Sequence, residues 1–176
     1  WEIALHGSYD SFDNYEQLKK EKEALEAIID CKVFGVRQHY LRLKIPETWL
    51  IQKKLNLTYD ATFGSNDQIG FPDNRIVPFR PFNDGFLVIP LAMMDYVLFS
   101  RGKNFVDQLA ICEDLLNQAQ KRRALVVILW HQRVFNENEF PNAIKLYEDT
   151  IKMSIDKGAW VTSLIDIAKW WNVSNP

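Results

Sequence analysis

The residues that directly follow the apolar runs of this 176-residue chain are His6, Arg37 with His39, Asp60, Asp95, His131 and Thr162. All three histidines of the chain belong to this set, which random placement would seldom achieve. Imidazole titrates near neutrality, so it can give or take a proton in a reaction near pH 7, and its neutral form ligates metals. An arginine close to such groups stabilises negative charge. Each residue also has a plainer role open to it. His6 suits a hydrogen-bonded strand end, Arg37 an ion pair with a helix carboxylate, and Asp60 a turn cap.

The elements that must position these residues alternate between strand and helix. Trp1 to Leu5 is a short apolar run. From Asn14 to Ile29 the apolar positions Tyr15, Leu18, Leu25, Ile28 and Ile29 recur at helical spacing, with Asp13 and Glu16 as a capping box. Strands are expected at 32–36, 57–62, 85–91 and 159–162. Ala124 to Leu129 is a continuous apolar run, the pattern of a strand buried on both faces. Helices are expected at 46–55, 104–119 and 142–157, and a last one runs to Trp171 behind a Ser163–Asp166 cap. Such alternation implies an α/β fold with parallel strands, as an open sheet or a barrel, in one domain spanning 1–176. In these folds the chemistry gathers where the strands end, because the following loops converge there. That is where the histidines fall.

One connection departs from the short norm. Phe63 to Asp84 joins two expected strands through a stretch of Gly, Asn, Asp, Pro and Phe, with Arg80 inside Pro78-Phe79-Arg80-Pro81-Phe82. Aromatic rings with an arginine suit a sugar, whose apolar face stacks while its hydroxyls accept hydrogen bonds. A loop packed by its own phenylalanines fits the same residues.

The order of these residues resembles the polysaccharide deacetylase family, also called the NodB-homology or carbohydrate esterase family 4 fold. The resemblance extends along essentially the whole chain through short motifs. His6-Gly7-Ser8-Tyr9-Asp10 is similar to the family's His-Ser/Thr-x-x-His metal motif, with Asp10 at the second histidine position. Arg37-Gln38-His39-Tyr40 is similar to Arg-x-Pro-aromatic, with His39 for proline, and Leu129-Trp130-His131 matches Leu-x-His. Asp60 loosely matches the start of a further motif, and the family's Asp-Asp pair has no counterpart here. The resemblance implies a distorted (β/α) barrel of the polysaccharide-deacetylase type, lacking its first strand or strands. It also implies metal-dependent removal of an N- or O-acyl group from a carbohydrate or cell-envelope polysaccharide. His131 would be the general acid, Arg37 and Asp60 further catalytic residues, and Tyr40, His39, Arg80 and Trp130 substrate contacts. His6 and Asp10 would hold a divalent metal, zinc by donor type, and His39 is a further donor that compensates for the departures. The runner-up is a catalytically inactive deacetylase-like domain that binds glycans or serves assembly, which Asp10 and His39 at motif positions favour.

Composition narrows the classes further. The 21 Lys+Arg against 23 Asp+Glu give a net charge of −2 with no basic run, which argues against nucleic acid as partner. The apolar stretches are far shorter than the roughly 20 residues that span a bilayer. Cys31 and Cys112 are too few for a disulfide scaffold and read as reduced thiols. They favour a reducing compartment, while the resemblance points to the cell envelope, so both locations stay open. Because the chain starts inside an apolar run at Trp1, the expectation is that an oligomer partner or companion segment covers an exposed strand edge.

Overall fold

The computed structural model describes residues 1–174. The chain is α/β and divides into two compact units. The first comprises Trp1–Gly64, Pro78–Pro90 and the segment from Thr162 onward; the second comprises Ser65–Val77 and Leu91–Val161.

The first unit is built on four parallel strands in the order β1-β2-β3-β4: Leu5–Gly7, Gly35–Gln38, Tyr59–Asp60 and Leu87–Val88. The register sets His6 opposite Arg37 and Val36 opposite Asp60. Helix α1 (Tyr15–Ile29) starts at Asn14, whose side chain accepts the Gln17 N–H at 3.1 Å. The cap is therefore Asn14 and not the expected Asp13 pairing, because this side chain reaches the amide three residues on. Leu18 packs with Leu5, Val33, Val36, Leu55 and Leu57 in a core that Tyr15, Leu25, Ile29 and Ile51 flank. Ile28, expected on the same stripe, is exposed. Helix α2 (Glu47–Lys54) follows Pro46 as expected.

The strands are shorter than the apolar runs that announced them. β1 begins at Leu5, and Trp1 and Ile3 are exposed. The run at 85–91 pairs only over β4, and Pro90, which lacks an N–H, marks the end of the first unit's segment. The expected strand at 159–162 does not form; Trp160 and Val161 are exposed in irregular chain, and apolar character alone had suggested the strand. Helix α6 (Leu164–Ser174) is fastened by Glu2, whose carboxylate accepts the Tyr59 hydroxyl and the Ile165 N–H at 2.9 Å.

Phenylalanines of the aromatic loop pack together, as the loop-packing alternative expects. Phe63, Phe79 and Trp49 meet with ring centroids 5.7–6.3 Å apart, in a cluster with Phe86, Val88 and Phe82. Phe79 also bridges to Val88 in the antiparallel sense.

The second unit holds two parallel strands, β5 (Met93–Met94) and β6 (Ile128–Leu129), with helices α3 (Asp95–Arg101), α4 (Phe105–Arg122) and α5 (Ala143–Asp156). Asn104 caps α4 by accepting the Asp107 N–H at 3.0 Å. Ala92, Met93, Leu98, Cys112, Leu115 and Leu146 form its core. The run Ala124–Leu129 was expected to be buried on both faces; Ile128 and Leu129 are half-buried, and among the described residues β6 pairs with β5 alone. Among the described residues no helix is long and apolar enough to cross a membrane.

Candidate active site

In the first unit, parallel pairing of β1 with β2 brings two histidines from distant sequence into contact. His6 lies in β1 and His39 directly follows β2. His6 Nε2 and His39 Nδ1 are 2.9 Å apart, with the rings edge-on at 82°. One nitrogen must carry the shared proton while the other accepts it. Gly7 permits this close approach of the strands: a Cβ there would come within 2.1 Å of Gln38 Oε1, on its register partner. Gln38 is itself fully buried and accepts from Ser11 Oγ at 3.2 Å.

Asp10 lies elsewhere in this loop. Its carboxylate pairs with Arg42 at 3.2 Å and its side chain is 86% exposed. His39 is therefore the side chain that meets His6, and among the described residues no group of three His, Cys, Asp or Glu side chains could hold a metal ion. Two imidazole nitrogens fit a borderline divalent cation such as zinc in chemical kind. In number they fall one short of the three protein ligands that catalytic zinc usually keeps.

Arg37 lies opposite His6 in the strand register, and Asp60 lies opposite Val36. Asp60 is fully buried, and its carboxylate accepts hydrogen bonds from Trp49 Nε1 (3.3 Å), Gln52 Nε2 (2.9 Å), and the Thr62 N–H and hydroxyl. Burial pushes its carboxyl pKa up, and the hydrogen bonds from Thr62, Gln52 and Trp49 oppose this. Every oxygen is occupied, which is the arrangement of a carboxylate that holds structure together. Arg37 donates from Nε to the Ala61 carbonyl at 2.8 Å. Its Nη2 is buried with no hydrogen-bond partner, a costly state for a donor. Burial pushes the Arg37 pKa down, and the charges of Asp60 and Tyr59 oppose it.

Of the other expected substrate contacts, Tyr40 is exposed beside His39, with ring centroids 4.6 Å apart. Arg80 donates to the Asn172 side chain at 3.0 Å.

In the second unit, His131 follows β6 and Asp95 follows β5, so adjacent parallel strands deliver both to neighbouring ends. His131 Nδ1 is 2.8 Å from Asp95 Oδ1 and 3.0 Å from Oδ2. The carboxylate also accepts the backbone N–H groups of His131 and Tyr96. Asp95 is buried while the His131 side chain is 46% exposed, so a fixed anion orients an accessible imidazole. Trp130 sits in the core of this unit against Phe99 and Tyr147, with its Nε1 buried and unbonded.

Sequence reasoning had marked Asp95 as a strand-end residue without assigning it to the site. The signal was Met-Met-Asp at the end of a strand too short to be seen as separate. Arg42 and Tyr9 carried no such signal, since only the folded turn brings them together.

No protein-family profile and no curated protein matches the chain. Solved structures do. One from Pseudomonas aeruginosa, described as a probable polysaccharide deacetylase, superposes with a TM-score of 0.70 at 18% identity. That match covers 99% of this chain and 60% of the other. A second, from Mycobacterium smegmatis and also described as a polysaccharide deacetylase, gives 0.69 at 14% identity over 94% of this chain and 58% of the other. The chain thus spans about three-fifths of the length of these structures and shares their α/β fold.

Proposed function

We propose that this protein hydrolyses an acyl group from a carbohydrate, with His131 as general acid. The observation that carries this reading is the His131–Asp95 pair on a fold of the deacetylase type. A carboxylate on Nδ1 fixes the tautomer and supports the imidazolium, leaving Nε2 as the atom that exchanges a proton with the reaction. In amide cleavage water adds to the acyl carbon and the carbon–nitrogen bond breaks. The departing amine needs a proton, which Nε2 supplies. Arg37, with its unbonded buried Nη2, offers a donor to negative charge.

His6 and His39 are the residues that would hold a divalent cation. Such an ion, when bound, lowers the pKa of coordinated water toward about 7. The second reading is glycan binding without turnover, and the count of two protein donors favours it.

Acetate release from N-acetylglucosamine tetramer by the full protein separates the readings. The expected result is release that stops with chelator, returns with zinc, and falls at least about 100-fold in His131→Ala. Tetramer binding with no acetate release in the presence of zinc would leave the second reading in place.

A further inference from the structure

The second unit contains an open cleft of about 400 Å³ that the acyl chemistry does not use, since neither His131 nor Asp95 lines it. One wall is α4, where Ile111, Asp114, Leu115 and Gln118 recur at the spacing of a single helical face. Ile69, Gly70 and Arg101, the last residue of α3, supply the rest. Leu115 belongs to the core of this unit, and Ile69 and Ile111 pack against that core, so the cleft has an apolar floor continuous with it. Gly70 keeps the space clear. Its φ of 133° disfavours any side chain, and a Cβ there would meet nothing within 4 Å.

Two opposite charges are held in this cleft. Arg101 Nη2 donates to the Asp67 carbonyl at 2.6 Å, which anchors the guanidinium and leaves its other nitrogens as donors. One turn apart on α4, Gln118 Nε2 donates to Asp114 Oδ2 at 2.8 Å, which fixes the carboxylate and leaves Oδ1 as an acceptor. Among the described residues neither charge forms an ion pair. A simple anion in the cleft would meet the charge of Asp114, and a simple cation that of Arg101. A ligand that satisfies both carries charges of both signs on an apolar body.

We propose that this cleft binds a small zwitterion of the aliphatic α-amino acid class, with its carboxylate on Arg101, its ammonium on Asp114 and its side chain on Ile69, Ile111 and Leu115. The planar guanidinium fork matches a carboxylate, and an ammonium group has three donors to offer a carboxylate oxygen. Gln118 is a positioning residue that acts through Asp114.

Calorimetric titration of the full protein with L-leucine tests it, beside isocaproate, which lacks the ammonium, and isoamylamine, which lacks the carboxylate. Leucine is expected to bind at least about 10-fold more tightly than either. Asp114→Asn should weaken leucine about 10-fold and leave isocaproate within about 2-fold, while Arg101→Gln should weaken leucine and leave isoamylamine within about 2-fold. Methyl NMR on the unmodified protein covers a variant that does not fold: Ile69, Ile111 and Leu115 signals shift on adding leucine. No leucine binding up to about 10 mM, analogues that bind as tightly as leucine, unchanged leucine affinity in both variants, or shifts confined to other methyls would each overturn it. None of these readouts depends on acetate release, so the proposal and the hydrolytic reading stand or fall separately.

Discussion

Asp95 illustrates how a residue gains a role from its neighbours. Its oxygens accept from His131 Nδ1 and from two backbone amides, so the carboxylate is anchored before it orients the imidazole. His131 was legible in the sequence because a polar residue after Val-Val-Ile-Leu-Trp has little structural reason to be there. Asp10 was expected to hold a metal with His6, and its pairing with Arg42 was not legible. That contact spans 32 positions and depends on how two loops meet. Glu26 is a structural counterpart. Burial raises its pKa, but hydrogen bonds from Lys22, the Val33 N–H and Lys32 outweigh this and hold it at about 2, against an ordinary 4.5. Because the folded value is depressed, its contribution to stability is present above about pH 4.5 and is lost as pH falls toward about 2. Glu26→Gln is expected to lower stability by about 2 kcal/mol near pH 7. Urea midpoints for the two proteins should converge between pH 4.5 and 2.5, and a constant gap would contradict this account.

At the scale of elements, the helices were the readable part. α2, α4 and α5 lie within a few residues of their expected limits, since 3.6-residue periodicity acts locally, as does the Asn104 cap of α4. Strands were less readable. Apolar runs such as Trp1 to Leu5 and Ala124 to Leu129 mark where a strand can form, but its length depends on where a partner strand is available. α3 was missed because its seven residues, Asp95–Arg101, follow β5 directly and merge with the apolar stretch before it. Strand contact also leaves little tolerance. A Cβ on Gly35 would lie 2.0 Å from the Tyr59 ring, which is almost wholly buried on the neighbouring strand. Gly35→Ala is expected to cost about 1–3 kcal/mol through overpacking, read as a lower denaturation midpoint. An unchanged midpoint would show that β2 and β3 can separate at no cost.

For the molecule as a whole, the α/β class could be read from the alternation of strand and helix, and the deacetylase-type fold from the resemblance of short motifs, even though identity to the solved structures is 14% and 18%. Fold similarity at that level follows from retained strand order and core pattern, while the site is set by individual side chains. In this protein His39 meets His6, and Asp10 turns to Arg42. The claim that joins fold to function is that His131, oriented by Asp95, supplies the leaving-group proton. Its most direct test compares acetate release from N-acetylglucosamine tetramer by the full protein, Asp95→Asn and His131→Ala, with tetramer affinity measured alongside. The account predicts unchanged affinity in both variants, with release lowered at least about 100-fold in His131→Ala and about 10-fold or more in Asp95→Asn. Release at the unmodified rate in both variants, or none from the unmodified protein, would contradict it.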